Sequence, residues 1–582
     1  MPNFGNGAIL NATRYRNICI HTANKPQGGK TMKKRFLIFV LALVMTLVFI
    51  PGIASATNTT EFAGGSGTLA EPYLISNKTH LNNVRNYLDA HFKLTCDIVF
   101  TTADFAWGGD FYNNGEGWDP IGTSTAAPFT GTFDGNEFAI KNLYVDISRN
   151  SESVYAGLFG YNEGNIKNLG IVDGNISATT SSSYNTFLYA GGIAGYNTGN
   201  ISECYNTGTV SATASSSSSN SASAYAGGIV GRHYSSTIER CYNTGTVSAT
   251  ASSSFSYAAR AYVGGIAGEN YQTITNCYNA GAVSASTSYQ ADVGGIVGCN
   301  SATITNCYNT GTVSALEAVS TASHSTDISV GGIVGYNYKT ISNCYNTGYV
   351  SAAVYSSSSY SNAYVGGIAG ASGSYGSITR CYNTGRVSLV SGDYAYVGGI
   401  AGRNSGTINY CYYLNTTSSG TSSGTEGATK CTSEQMQTQS TFVGFDFAKI
   451  WHINADSQYT YPTMHIIHTY ETTTIKATAS TNGRTGRICT VCGAGVSTTI
   501  HYAKTFTLPT TTYPYDGLEK TPTVTVTDSA GNLLVWNTDY IVTYAGGRKN
   551  LGTYSVTVEG IGNYDFTKTL LFTINPIDIS TC

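Results

Sequence analysis

The stretch Tyr262-Val263-Gly264-Gly265-Ile266-Ala267-Gly268-Glu269-Asn270-Tyr271-Gln272-Thr273-Ile274-Thr275-Asn276-Cys277-Tyr278-Asn279-Ala280-Gly281-Ala282-Val283-Ser284-Ala285 decides the fold. Its β-branched and aromatic residues fall in short runs separated by Gly and Asn, the pattern of three short strands with corners between them. No helical spacing of apolar residues is present, and Gly and Ser are too frequent for helix interiors. Ile274 and Cys277 lie three apart, so strict alternation puts them on opposite faces. If both point inward the chain must bend between them, and Asn276 tolerates the dihedrals of such a corner.

Working outward, the block Gly-Gly-Ile-Ala/Val-Gly recurs with its second glycine at Gly192, Gly228, Gly265, Gly295, Gly332, Gly367 and Gly399, and Ala156-Gly157-Leu158-Phe159-Gly160 is a degenerate earlier copy. The spacing is 30 to 37 residues. Self-similarity at such a period marks an array of units each too thin to bury its own apolar face. A chain that coils through short strands, with like residues stacked about 4.8 Å apart, is a parallel β-helix or solenoid.

These blocks resemble the GLUG motif of bacterial surface proteins. The lead-in is similar to the segment that precedes such arrays, in Phe62-Ala63-Gly64-Gly65-Ser66-Gly67-Thr68, Glu71-Pro72-Tyr73-Leu74-Ile75, Trp118-Asp119-Pro120-Ile121-Gly122 and Gly131-Thr132-Phe133-Asp134-Gly135-Asn136. The resemblance covers roughly 61 to 415. It implies an all-β, right-handed β-solenoid with a short N-terminal cap helix, in a secreted or surface protein of Gram-positive type, and it transfers no catalytic residue.

Composition and address agree with this. Only 11% of the 582 residues are charged and the net charge is -3, so no basic footprint for nucleic acid exists. Lys33-Lys34-Arg35, the apolar run Phe36 to Ile50 and Pro51-Gly52-Ile53-Ala54-Ser55-Ala56 form the n-region, h-region and cleavage site of a signal peptide, 32–56. The apolar core is shorter than the roughly 20 residues of a membrane span, so no membrane insertion is expected after cleavage. Residues 1–31 read as an upstream extension before a true start at Met32, and the mature chain starts at Thr57.

Residues 57–150 are expected to hold the cap and first rungs, with a helix within 76–95 started by Asn77 and burying Leu81, Val84 and Leu88. Asp104, Asp110, Asn113, Asn114, Glu116 and Asp119 gather oxygen atoms that could hold calcium, although their spacing is not that of an EF-hand; a plain polar loop is the alternative. In the solenoid proper, 151–415, Cys204, Cys241, Cys277, Cys307, Cys344, Cys381 and Cys411 occupy one repeat position. They stack as a column of small buried side chains, with disulfides disfavoured because neighbouring side chains run parallel.

The next residue is a tyrosine in every copy: Tyr205, Tyr242, Tyr278, Tyr308, Tyr345, Tyr382 and Tyr412. If cysteine faces in, tyrosine faces out, giving an exposed aromatic ladder on which sugar faces could stack, or a row of rings that only steadies the array. The asparagines that follow, Asn206 to Asn383, suit a hydrogen-bond ladder at a corner. The serine tracts Ser215 to Ser219, Ser252 to Ser254 and Ser356 to Ser359 read as loops.

Catalysis by a β-helix wants paired carboxylates. The acids between 186 and 411 are Glu203, Glu239, Glu269, Asp292, Glu317, Asp327 and Asp393, scattered over different repeat positions, and neither a His-Glu-x-x-His motif nor a phosphate loop occurs. A non-enzyme is expected; Glu239 and Glu269 are the acids to replace if sugar is released.

Beyond the array, 416–462 reads as linker and closing cap, with Phe442 and Trp451 as plugs for the last rung. In 463–504, Cys489-Thr490-Val491-Cys492 beside His468 and His501 could hold zinc, form a disulfide or stay as thiols. Residues 505–576 carry alternating strands with turns at 528–532, 546–547 and 560–563, an all-β sandwich. Its Tyr515-Asp516-Gly517 block and closing Ile574-Asn575-Pro576 resemble bacterial Ig-like repeats. Residues 577–582 read as the start of a truncated further repeat. The whole implies a monomeric surface protein that binds glycans, mucin or matrix proteins, against a bare stalk or a carbohydrate-active enzyme.

Overall fold

The computed structural model describes residues 61–577, apart from 152, 184, 218–219, 254–258, 318–325, 356–360, 391–393, 416–426, 448–449, 454–460, 465–469 and 490–494. The leader, the upstream extension and 578–582 lie outside the described residues, as do Ser218, Ser219, Ser254 and Ser356 to Ser359.

From Tyr73 to Cys431 the chain winds as a right-handed parallel β-solenoid of five sheets. In the coil that opens at Ala259 the strands are Ala259–Gly264, Ala267–Asn270, Thr273–Thr275, Tyr278–Asn279 and Val283–Thr287. Each belongs to one sheet, numbered 1 to 5 here in that order. Sheets 1, 2 and 5 contain eight strands, and sheets 3 and 4 contain eleven. Pairing is like on like: Ile238, Ile274, Ile304 and Ile341 stack in sheet 3, and Tyr242, Tyr278 and Tyr308 in sheet 4.

Five strands per coil replace the three expected. The glycine pair at 264–265 and Asn279-Ala280-Gly281 each break what looks continuous in sequence, and the first residues of two serine tracts lie in a strand of sheet 5 rather than in loops. Ser215 lies in the strand Thr209–Ser216 and Ser252 in Val247–Ser253. There Ala212, Ala214, Ala249 and Ala251 point into the core while the hydroxyls point out, the two-residue alternation of a half-buried strand.

The expected corner is at Asn276, in the left-handed region at φ 55°, and the equivalent residues Glu203, Arg240, Asn306, Asn343 and Arg380 share it. It lets Ile274 and Cys277 both enter the core, where neither is exposed. The seven cysteines are fully buried, unpaired thiols. Each donates to the carbonyl two residues back, as Cys277 Sγ does to Thr275 at 3.2 Å, so they act as small core side chains.

The asparagine ladder is present and buried. Asn243 Nδ2 donates to Asn279 Oδ1 at 2.8 Å and to the Gly245 carbonyl at 2.7 Å, and the pattern continues through Asn309 and Asn346. It explains the repeated glycine: a Cβ on Gly265 would run into the Asn279 side chain and the Gly295 carbonyl of the next coil.

The N-terminal helix is shorter than expected, Lys78–Asn83, followed by a 3-10 turn at Val84–Asn86. Asn77 caps it by accepting from the His80 amide at 2.9 Å, and Leu81 and Val84 are buried while Leu88 is half-buried. His91–Leu94 has already joined sheet 3, because pairing with Tyr73–Ile75 and Thr132–Asp134 outweighs further helix.

Downstream, Tyr470–Ile475, Gly483–Cys489 and Gly495–Ile500 form a three-stranded antiparallel sheet. Residues 503–575 make two further sheets, one of Ala503–Thr507 and Thr525–Asp528, the other of Thr512–Pro514, Thr567–Asn575, Gly552–Gly560 and Tyr540–Tyr544. Val526, Val556, Val558, Phe572 and Ile574 are buried between them. The turn at 528–532 is held by Asp528 Oδ1, which accepts from the amides of Ala530 and Asn532 at 2.9 and 2.8 Å.

Candidate binding groove

The tyrosine column on sheet 4 is a ladder, but not an exposed one. From Tyr205 to Tyr382 the rings stack at centroid spacings of 4.8 to 5.0 Å and within 5° of parallel. Each ring face is therefore covered by the ring of the next coil, and only edges turn outward. Tyr205, Tyr242, Tyr278 and Tyr308 are half-buried, whereas Tyr345, Tyr382 and Tyr412 are buried.

The cover comes from the closing segment. Trp451 lies 6.1 Å from Tyr345 and 5.8 Å from Tyr382, and Phe442 lies 5.1 Å from Tyr412. Tyr382 donates its hydroxyl to the Pro462 carbonyl. Phe442 and Trp451 thus pack along the outer side of three coils instead of plugging the last rung; Ala428–Cys431 extends sheet 4 over Cys411–Leu414. A sugar cannot lie flat on a ring whose faces are both occupied, which corrects the expectation of an exposed platform at these seven positions.

A second aromatic surface, not anticipated from sequence, runs along the outer faces of sheets 1 and 2. In sheet 1 the column on the outer face is Tyr155, Tyr189, Tyr225 and Tyr262, stacked at 5.4, 4.8 and 4.9 Å, with Tyr189 and Tyr225 buried and Tyr155 and Tyr262 half-buried. In sheet 2 it begins with Tyr161 and Tyr196 at 4.7 Å. The columns meet edge to face, Tyr155 on Tyr161 at 5.6 Å and Tyr189 on Tyr196 at 5.4 Å, so the two sheets enclose a re-entrant groove parallel to the axis.

Halfway along, both columns change chemistry. Register places Asp292 and then Ser329 where sheet 1 otherwise has tyrosine, before Tyr364 and Tyr396 resume it. Sheet 2 places Arg232, Glu269 and Cys299 in succession before Tyr336. Arg232 is held by aromatic neighbours, its guanidinium 5.1 Å from the Tyr271 ring and 5.7 Å from Tyr225, and it donates to the Tyr271 hydroxyl at 3.2 Å. Its Nε sits 2.8 Å from Glu269 Oε2, close enough for charge pairing without hydrogen-bond alignment. Glu269 Oε1 accepts from the Tyr271 hydroxyl at 2.8 Å.

Asp292 differs in forming no ion pair among the described residues. It is 2% exposed; Oδ2 accepts from Gln290 Nε2 at 3.1 Å, and Oδ1 has no hydrogen-bond partner among the described residues. Burial pushes its carboxyl up to about 7, against the hydrogen bonds of Gln290 and Ser329 and with help from Glu269 and Asp327. Burial also raises Glu269, with Arg232 opposing. Beneath the groove a second asparagine ladder, Asn162, Asn197, Asn270, Asn300 and Asn337, is broken once by His233, which burial lowers to about 4.

Other expected sites separate. Glu239 pairs with Arg240 at 2.7 Å on sheet 3, away from the groove column that contains Glu269. The acids of the N-terminal loop meet bases instead of converging: Asp104 with Lys78 at 2.6 Å, Glu116 with Arg149 at 2.8 Å and Asp119 with Arg85 at 2.9 Å. Among the described residues no group of three or more ligating side chains could hold a metal. Cys489 ends a strand and His501 is half-buried, while His468 and Cys492 lie outside the described residues. No helix among the described residues is long and apolar enough to cross a membrane.

Comparison with known proteins follows this geometry. The model of the GLUG motif matches residues 188–211, 222–248, 259–284, 289–314, 326–351 and 361–388. A protein of Evansella cellulosilytica, provisionally named a Gly-rich membrane protein, is 34% identical over 140 residues, 23% of this chain and 15% of that protein. Halomucin of Haloquadratum walsbyi is 34% identical over 159 residues, 26% of this chain and 2% of its own length. The chain therefore spans a small part of either relative. Among solved structures, a protein of Bacteroides ovatus provisionally named an immunoglobulin A1 protease aligns over 70% of this chain and 96% of its own, at 22% identity and a TM-score of 0.34. The matched segment 259–284 runs from the start of sheet 1 to the start of sheet 5, so one GLUG motif is one coil, and the chain carries six of them in register.

Proposed function

We propose that this is a non-enzymatic secreted or cell-surface repeat protein whose solenoid binds glycan or matrix ligands. The groove along sheets 1 and 2 carries the proposal: among the described residues it sets Tyr262 and Tyr364, each with one face free of a neighbouring tyrosine, beside a polar break, the mixture of flat apolar faces and hydrogen-bonding groups that sugars and peptides require. The leader at 32–56 supports export, and the names of the two relatives, a membrane protein and a halomucin, suit an extracellular setting. The sheets at 470–575 are read as a spacer of Ig-like kind. The test is retention of the mature chain on mucins, plant and microbial polysaccharides and matrix proteins, with reducing ends assayed in the same tubes. Retention that falls when Tyr262 and Tyr364 are replaced by Ala, without sugar release, is the expected outcome; no retention on any member overturns it in favour of a bare stalk.

One observation favours a second reading. Glu269 and Asp292, at different repeat positions, reach the same groove, and a pair of carboxyls is what glycoside cleavage requires, although burial raises both here where such an enzyme keeps one ionised. Sugar release abolished by E269Q or D292N would establish that reading instead.

A further inference from the structure

The break in the groove has an unbalanced charge. Arg232 is matched by Glu269, whereas Asp292 has a buried oxygen without a hydrogen-bond partner and no ion pair among the described residues, an arrangement that is costly to keep unless a cation or a proton satisfies it. The side chain is directed outward, since Ala291 and Val293 on either side fill the core. The same place interrupts the ring stack. Tyr262 has Tyr225 on one face at 4.9 Å, and Tyr364 has Tyr396 on one face at 5.4 Å; across the two coils between them stand Asp292 and Ser329. The faces that Tyr262 and Tyr364 turn toward that gap are the only ones in this column, away from its ends, without a tyrosine on the next coil.

We infer that the break at Asp292, between Tyr262 and Tyr364, is a recognition site for a protonated amine carried on a sugar, a hexosamine with a free amino group. The carboxylate, oriented by Gln290 and Ser329, is the counter-ion for the ammonium, and the tyrosine faces receive the apolar side of the pyranose and the cation's field. The inference rests on the glycan-binding reading and narrows it to one ligand chemistry at one pair of coils. A neutral N-acetylated sugar would leave Asp292 unpaired, so the site discriminates by charge.

The test is calorimetric titration of the mature chain with a glucosamine hexamer, an N-acetylglucosamine hexamer and a lysine hexapeptide. The glucosamine hexamer is expected to bind tighter than the acetylated one by roughly tenfold or more, the scale of a desolvated charge pair. D292N should erase that preference. D292S places in this coil the side chain that Ser329 already contributes to the next, and supplies a second variant should the amide not fold. E269Q should shift affinity less, because Arg232 already pairs with that carboxylate. Equal binding of both sugars, or a preference that survives D292N and D292S, overturns the inference and leaves glycan binding standing. Asp292-dependent binding of the peptide with neither sugar bound overturns the glycan reading and the sugar named here. If no probe binds, the inference fails, and retention on the wider panel judges the glycan reading separately.

Discussion

The tyrosines of sheet 4 and those of sheets 1 and 2 are the same residue, stacked at similar intervals, yet only the second set is interrupted. On sheet 4 the column is uniform, every face from Tyr205 to Tyr345 is matched by the next ring, and the last three rings are sealed under Trp451, Phe442 and Phe445. Along the groove the columns are interrupted, and Arg232, Glu269, Asp292 and Cys299 fill the interruption. In a solenoid the fold is maintained by repetition, because each coil's stability comes from a matching neighbour. A departure that buries an unpaired carboxylate works against the stack, so it marks a place where something other than stacking is at stake.

The sharpest way to break the comparison is to open the sealed ladder. Trp451 is 1% exposed and touches Tyr345, Tyr382 and Phe445. Replacing it with Ala should cost the closing segment about 3–5 kcal/mol, the usual penalty for a large buried aromatic. Hydrogen exchange should show Cys431 to Met464 opening while the coils from Tyr189 to Thr287 keep their protection. Equal loss across the array would mean that the segment is part of the solenoid's core and not a cover on one face.

Two interruptions near the groove should pull stability in opposite directions with pH. Asp292 titrates near 7 in the fold against 3.8 when free, so its favourable contribution is complete below about pH 4 and is lost as pH rises through 7, a swing of about 4 kcal/mol. His233 is lowered from 6.5 to about 4, so its contribution is complete above pH 6.5 and is lost as pH falls toward 4, about 3 kcal/mol. In the native chain the two slopes oppose one another between pH 4 and 7. D292N should stabilise these coils at pH 8 and expose an acid-labile profile; H233N, which restores asparagine between Asn197 and Asn270, should stabilise them at pH 4 and expose an alkali-labile one. Denaturation midpoints measured across that range check both, and a single mutant with a flat profile would contradict the pairing.

How much of this was legible in the sequence follows from the same contrast. Uniform columns were readable: the corner at Asn276, the buried cysteines, the Asn206 to Asn383 ladder and the parallel coil all follow from residues that recur in register. The number of strands was not, because Ala-Ser alternation is a weak strand signal until Ala212 and Ala249 are seen to stack inside. The exposure of the tyrosines was misjudged, since alternation says which way Tyr382 points but not that a segment reaching to Pro462, 80 residues later, will cover it. The groove was missed for a third reason. Tyr189, Tyr225, Tyr262, Tyr364 and Tyr396 all stand two residues before a glycine pair, where Asp292 and Ser329 take their place, so half of the signal was present. Glu269 occupies another repeat position, and only the re-entrant angle between sheets 1 and 2 brings it to the same groove.

The smallest effect is expected where the ladder is most regular. Tyr278 lies between Tyr242 and Tyr308 at 4.9 Å on each side, and its hydroxyl is at the half-buried rim. Tyr278→Phe keeps the stacked ring, so stability should change by no more than about 0.5 kcal/mol, the range of a surface substitution. Tyr278→Ala removes the stacking and should cost about 1–2 kcal/mol, the value of aromatic pairs plus part of the buried area. Ligand retention should be unaltered by either change, whereas loss of Tyr262 from the groove should abolish it. If instead Tyr278→Ala eliminates retention while the coil remains folded by hydrogen exchange, the edges of the sheet 4 ladder are themselves the binding surface, and the contrast between a structural column and a functional one fails at its centre.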